Sequence, residues 1–381
     1  MKSIKGFKNC NILIDNKIIK TNIIINNGLI DKIGNHVCDD LITLDDDLFV
    51  VPGFIDEHIH GAASVDFMDK SGYLNILNDT AKSGVTSLCA TTTTHSVERI
   101  VEVLKSIRLY ISKNFIMGSR IIGIHLEGPF ISKEYKGAQL EEYIIEPSLD
   151  IFNEFINASD DNILITTIDG KNNNFIKYLK SKEITISIGH SDATYKEIEE
   201  SIKYGLSCVT HTYNGMSKVH HRDLGVVGAA LLKDELYTEL ICDGIHVSKE
   251  AIMLLVKNKP LDKIVLITDS LRQKGLSDGI YFEDDQNIIL KDNKVTLDDG
   301  TLAGSILSMN KAIKNIMDYT GVSLIDAVGF ATANPAKNLG LFDKIGSISE
   351  GKLADFTVID KDVNVYMTIR EGNIIYKKGE E

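Results

Sequence analysis

Two histidines stand two residues apart in Pro52-Gly53-Phe54-Ile55-Asp56-Glu57-His58-Ile59-His60-Gly61, directly after the apolar run Leu48-Phe49-Val50-Val51. On an extended backbone alternate side chains project to one face, so His58 and His60 point the same way at a strand end and could clip a metal ion. A lone His-x-His is more often a pair of ordinary polar residues leaving a strand. Other residues shift that balance, because each ends a further short apolar run. Glu127 follows Ile121-Ile122-Gly123-Ile124-His125-Leu126, His190 follows Ile186-Ser187-Ile188-Gly189, and His211 follows Cys208-Val209-Thr210. Asp269 follows Ile267-Thr268, and His246 stands just beyond Asp243-Gly244-Ile245. Singly, each has a bland explanation: a hydrogen-bonded histidine, an ion-paired acid or, for Asp269, a helix cap. Together, histidines and carboxylates at so many strand ends point to a hydrolytic metal centre.

The chemistry of such a centre assigns roles. A divalent ion lowers the pKa of bound water to about 7, and a nearby carboxylate can take the proton and deliver it to a leaving amine. Asp269 fits that role, since it comes from the last strand and has no histidine beside it. His246 is set back behind a glycine, within reach of a substrate rather than of the metal. His125 shares a face with Glu127 and stays open as a ligand. His95, His220 and His221 read as loop or solvent histidines.

These residues need a scaffold that brings strand ends to one place. Apolar strands are expected at 50–56, 84–92, 120–127, 162–168, 184–190, 206–212, 237–243 and 263–269, with helical segments between most of them, such as Tyr195 to Tyr204 and Lys249 to Lys257. Near-continuous apolar strands alternating with helices mean a parallel sheet covered on both faces, and eight such units are the count of a TIM barrel, whose active sites form at the C-terminal strand ends. A doubly wound sheet is the competing architecture, but no GxGxxG follows an early strand. Both chain ends alternate branched apolar and polar residues, with hairpin signals at Asn27-Gly28 and Glu371-Gly372-Asn373. The fold expected is therefore α/β: a (β/α)8 TIM barrel over 51–344 with a small discontinuous β-sandwich domain built from 1–50 and 345–381. Residues 271–300 read as a loop or β insertion after the eighth strand.

Composition narrows the function. The 381 residues are 43% hydrophobic and 25% charged, ordinary for a globular chain of this size. A net charge of -13 argues against nucleic acid as a partner, yet a small anionic substrate needs only one or two local cations. Five cysteines, Cys10, Cys38, Cys89, Cys208 and Cys242, form no CxxC and suit a reducing, cytoplasmic setting. Cys89, Cys208 and Cys242 lie in apolar runs and read as small core residues. Met1-Lys2-Ser3-Ile4-Lys5 leads into no secretory apolar segment, and no apolar stretch is long enough to span a membrane, so no membrane partner is expected.

The motifs PGFIDEHIHG, HLEGPF, GHSDAT, THTYNGM, CDGIHV, TDS and TLAGS together resemble those of the N-acetylglucosamine-6-phosphate deacetylases of the amidohydrolase superfamily. The first motif is general to the superfamily; HLEGPF with GHS and the Asn-Gly-Met stretch is more specific. The resemblance covers nearly the whole chain. It implies that Glu127, His190 and His211 hold a principal metal, and that His58 and His60 build a second site with Glu127 bridging. It implies Asp269 as general base and then acid, and His246 as the group that polarises the acetamide carbonyl. It implies a sugar-phosphate pocket lined by Ala138, Asn214, Gly215, Arg222, Leu302, Ala303 and Gly304, with Arg222 as the phosphate's cation. The implied cofactor is one or two divalent ions per subunit, Zn2+ or Fe2+, and the implied assembly is a homodimer. Ser64, Gly215 and Ser270 stand where glycine, alanine and alanine are common, and Gln139 stands where some members have histidine.

The reaction this implies is hydrolysis of N-acetyl-D-glucosamine 6-phosphate to glucosamine 6-phosphate and acetate; the galactosamine epimer is the runner-up. A deaminase or cyclic amidase is a further alternative. Many cyclic amidases bridge their metals through a carboxylated lysine, and no lysine ends the fourth strand here. A non-catalytic barrel would have lost ligands, and none is lost.

Overall fold

The computed structural model describes residues 2–283 and 286–380. Met1 and Glu381, in the expected terminal β domain, and Asp284 and Asp285, in the expected insertion, lie outside the described residues. Eight apolar runs form the central sheet: β1 Phe54–Ile59, β2 Val85–Thr91, β3 Arg120–Glu127, β4 Ile163–Ile168, β5 Thr185–Ile188, β6 Leu206–Val209, β7 Tyr237–Ile241 and β8 Ile264–Ile267. They pair in parallel and in sequence order. The sheet returns on itself where Asp269 N donates to the His58 carbonyl at 2.9 Å and Thr268 Oγ1 donates to Asp56 Oδ2 at 2.6 Å. Every residue of β1, β2 and β8 is buried, as strands covered on both faces require.

A helix follows each strand, from Tyr73–Lys82 after β1 to Met309–Thr320 after β8. Val97–Ser112 shows why they form. Ser96 Oγ caps it by accepting from Arg99 N, and Ile100, Val103, Leu104 and Ile107 recur at three- and four-residue spacing to bury one face.

The chain ends build a second sheet of seven strands, in the order Asn373–Lys377, Val365–Arg370, Phe356–Ile359, Phe49–Pro52, Gly6–Ile14, Lys17–Asn26, Leu29–Gly34. Phe49–Pro52 joins them, running antiparallel to Phe356–Ile359 and parallel to Gly6–Ile14. Its own apolar cluster includes Phe7, Ile12, Ile23, Val50, Phe356 and Ile369. The Asn27-Gly28 hairpin turns with both φ angles positive, 49° and 76°, as the sequence suggested. After β8, Gly279–Glu283, Gln286–Lys291 and Lys294–Thr296 form the antiparallel β insertion.

Four strand expectations need correction. The run expected at 50–56 is two strands in two sheets. Pro52 lacks an N–H for further pairing, and the chain changes sheets at Gly53, where a Cβ would meet the Thr86 side chain at 2.3 Å. The runs expected to 190, 212 and 269 end at Ile188, Val209 and Ile267, because His190, His211 and Asp269 adopt left-handed conformations with φ of 47°, 28° and 48°.

Candidate metal centre

These left-handed turns aim the side chains inward over the strand ends. A non-glycine residue at such φ costs about 1–3 kcal/mol and persists only where its surroundings hold it. Here they do: Ser132 N donates to the His190 carbonyl, Asn214 N to that of His211 and Ser305 N to that of Asp269, all at 2.8–3.0 Å.

Of the four buried groups among the described residues that could hold an ion, two adjoin over these strand ends: Glu127, His190 and His211, and His58, His60 and Asp269. Glu127 Oε1 lies 3.2 Å from both His190 Nε2 and His211 Nε2, which are 3.1 Å apart. Glu127 Oε2 lies 3.3 Å from His60 Nε2. Asp269 Oδ1 is 3.2 Å from His60 Nε2 and 3.5 Å from His58 Nε2, and those two nitrogens are 3.3 Å apart. Five of the sequence-predicted ligands and the predicted base thus share one site.

The donor set fits a cation. His190 Nδ1 faces the Tyr135 carbonyl at 2.8 Å and His58 Nδ1 faces Glu239 Oε2 at 2.9 Å, and both partners only accept. Each Nδ1 therefore carries a proton, and each Nε2 turns toward carboxylate oxygens and other ring nitrogens. Positive charge, from a metal ion or from further protons on these rings, resolves that arrangement. The electrostatics agree. Burial pushes His58 down, but Glu239, Asp269 and Glu127 hold it up at about 9, and His60 is raised well above its usual value against the same burial cost. Burial would raise Glu127 and Asp269, yet the histidines hold Glu127 well below the carboxylate range and Asp269 at about 2.

His125, left open by the sequence, has both ring nitrogens engaged outside the two sets described above. Its Nδ1 meets the Glu57 carbonyl at 3.0 Å and its Nε2 meets Thr167 Oγ1 at 2.8 Å, while burial, with the His58 charge, pushes it down to about 4. His246 lines the cleft, and its buried Nε2 has no hydrogen-bond partner among the described atoms. Its Nδ1 is held at 2.7 Å by Asp243 Oδ2, whose other oxygen accepts from the backbone N–H of Ile245 and His246.

Ala138, Asn214, Gly215, Leu302, Ala303 and Gly304 line the same cleft of about 330 Å³ as the metal ligands. Arg222 does not. It is exposed, pairs with His221 Nε2 at 2.8 Å and faces a separate shallow cleft with Thr194, Tyr195 and Lys196. Of the departures, Ser64 sits at φ 70°, where glycine is the easier residue, and Ser270 Oγ donates to the Gly61 carbonyl at 2.8 Å.

Residues not foreseen complete the surroundings. Glu239 Oε2 holds His58 and also accepts from the His211 N–H at 3.1 Å, and Asp243 orients His246. The sequence did carry a signal for both: a lone carboxylate inside the apolar Tyr237–Ile241, and an acid three residues before a histidine.

A family model described as the amidohydrolase family matches residues 49–375. The chain belongs to the amidohydrolase family. Members of this superfamily generally depend on divalent metal ions, and the ligand sets above suit one. An N-acetylglucosamine-6-phosphate deacetylase of Bacillus subtilis (strain 168) is 37% identical over 381 residues, covering 97% of this chain and 96% of that protein. An N-acetylgalactosamine-6-phosphate deacetylase of Escherichia coli O157:H7 is 31% identical over 87% of this chain and 89% of its own length. The crystal structure of N-acetylglucosamine-6-phosphate deacetylase from Thermotoga maritima superposes with a TM-score of 0.90 at 36% identity, covering 98% of this chain and all of that one.

Proposed function

We propose that this protein hydrolyses the acetamide of N-acetyl-D-glucosamine 6-phosphate, releasing acetate and D-glucosamine 6-phosphate. The observation that carries this reading is the convergence of Glu127, His190, His211, His60 and Asp269 beside His246 in one cleft, with His58 buried against them, within a chain whose full-length relatives are named for that reaction.

A bound divalent ion would lower the pKa of coordinated water to about 7 and polarise the scissile carbonyl. Glu127, His190 and His211 would hold the principal ion, and His58 and His60, with Glu127 and Asp269, a second; Zn2+ or Fe2+ suits this nitrogen and oxygen set. The rest falls to the chain's own groups. Asp269 is ionised at neutral pH, so it can accept the attacking water's proton and pass it to the departing amine. His246 donates its Nδ1–H to Asp243, which raises its pKa against the cost of burial, and the protonated ring would offer Nε2–H to the acetamide oxygen. Ala138, Asn214, Gly215 and Leu302 to Gly304 orient the sugar.

Arg222 is assigned to the 6-phosphate. Because it lies outside its own chain's cleft, that assignment requires approach from a second subunit, which is our reason for proposing a homodimer. We also take the barrel, expected at 51–344, as the catalytic unit, the sheet of the chain ends, expected at 1–50 with 345–381 and running on to Pro52, as the supporting β domain, and the cytoplasm as its location. No helix among the described residues is long and apolar enough to cross a membrane.

The galactosamine epimer is the second reading, supported by the Escherichia coli relative. Acetate release from both epimers, with and without chelator, tests the reaction: chelator-sensitive turnover of the gluco epimer with the higher kcat/KM is expected. Turnover of neither epimer by the metal-loaded protein would refute it.

A further inference from the structure

Gln139 lies on the loop after β3, at the rim of the cleft beside Ala138. A residue there could reach the sugar, but both ends of this amide are already engaged. Its Nε2 donates to Glu127 Oε2 at 2.8 Å, and its Oε1 accepts from the Thr94 backbone N–H at 2.7 Å. The amide's orientation follows from chemistry, since a backbone N–H only donates and an ionised carboxylate only accepts.

The consequence falls on Glu127. Its Oε1 faces His190 and His211 at 3.2 Å and lies 3.6 Å from His58 Nε2, and its Oε2 faces His60 at 3.3 Å. Oε1 is thus held mainly by the principal set, and Oε2 is the oxygen turned to the second. A carboxylate free to turn about its last bond could instead offer both oxygens to the principal set, leaving His58, His60 and Asp269 without a shared anion. The Gln139 donor occupies one lone pair of Oε2 and leaves the other directed toward His60. Thr94 anchors the far end of the amide, so the donor cannot swing with the carboxylate.

We propose that Gln139 is a positioning residue that holds Glu127 in its bridging orientation, and thereby sets the affinity of the second metal ion and not of the first. This rests on the metal-centre reading given above. Gln139 makes no bond to substrate in this role. Groups that orient a metal ligand through a hydrogen bond typically change metal affinity by about 10- to 100-fold.

The test is calorimetric titration of metal-free protein with Zn2+, comparing wild type with Gln139→Met, which keeps the length of the side chain and removes both hydrogen bonds. Wild type should bind in two steps. The variant should keep the first step unchanged, which also reports an intact barrel, and weaken the second about 10- to 100-fold. Its kcat at limiting metal should fall with KM unchanged, and excess metal should restore it. A variant in which both steps weaken together, or neither does, overturns the proposal. So does a wild type that takes one equivalent, an outcome that leaves single-ion deacetylation standing. Two intact steps in a wild type that deacetylates neither epimer would refute the proposed function and not this inference.

Discussion

Replacing Asp269 by asparagine isolates the proton-transfer role in the proposed reaction. The change is nearly isosteric. Asparagine tolerates the left-handed φ of 48° that this position requires, and the backbone bonds from Asp269 N to the His58 carbonyl and from Ser305 N to the Asp269 carbonyl do not involve the side chain. The fold should therefore survive. What is lost is the carboxylate assigned to take the water's proton, whose Oδ1 lies 3.2 Å from His60 Nε2. Positioned acid–base catalysis contributes typically about 10²–10⁴-fold, or about 3–5 kcal/mol at 1.36 kcal/mol per decade. Acetate release at saturating substrate and metal should show kcat reduced by at least that factor, with KM close to wild type. Metal content must be measured alongside, because Asp269 also belongs to the His58 and His60 set. If kcat returns to near wild type once excess metal is supplied, Asp269 acts only as a ligand. If kcat never falls, another group is the base. Either result refutes the assignment.

Three further outcomes follow from the geometry. His190→Ala should lose the principal ion and turnover together, whereas His58→Ala should lose only a second equivalent, read by metal analysis of the purified variants. Arg222→Ala should lower kcat/KM for the phosphorylated sugar by about one to two decades, since a hydrogen bond to a charged group is worth about 1.5–3 kcal/mol, and hardly change the slow turnover of unphosphorylated N-acetylglucosamine; equal loss on both substrates would mean that Arg222 only supports its loop. Lys259 is buried, with Nζ donating to the Ala230 and Lys233 carbonyls, and burial lowers it from 10.5 to about 8. The folded state therefore binds fewer protons than the unfolded one between about pH 8 and 10.5, so this group's cost to stability is full below pH 8 and relieved as pH rises through that window. Denaturation midpoints of wild type and Lys259→Met across that range should diverge in slope; parallel curves would refute it.

The site was legible in the sequence because its ligands carry a one-dimensional signature. Each stands at the end of an apolar run, and a parallel barrel brings all such ends to one rim, so Glu127, His190, His211, His58, His60 and Asp269 could be grouped before any distance was known. The same apolar pattern misplaced the strand ends. It runs on through His190, His211 and Asp269, and hydrophobic periodicity does not register the sign of φ. Those residues leave the sheet for the reason that makes them useful: a strand would alternate their side chains, and the left-handed turn aims them at a common point. Arg222 shows the opposite limit. Its chemistry was readable, but its direction depends on how the loop after Asn214 folds, and within one chain that loop carries it away from the cleft. The supporting groups were hidden for a third reason. Glu239 reaches His58 from 181 residues away, and Gln139 reaches Glu127 through the path of the loop after β3, so neither partner could be assigned from spacing. A ligand must only be present at a strand end to be recognised, whereas a residue that orients a ligand is defined by a hydrogen bond. The first layer of this centre was therefore recoverable from order along the chain. The hydrogen bonds that orient those side chains exist only in three dimensions.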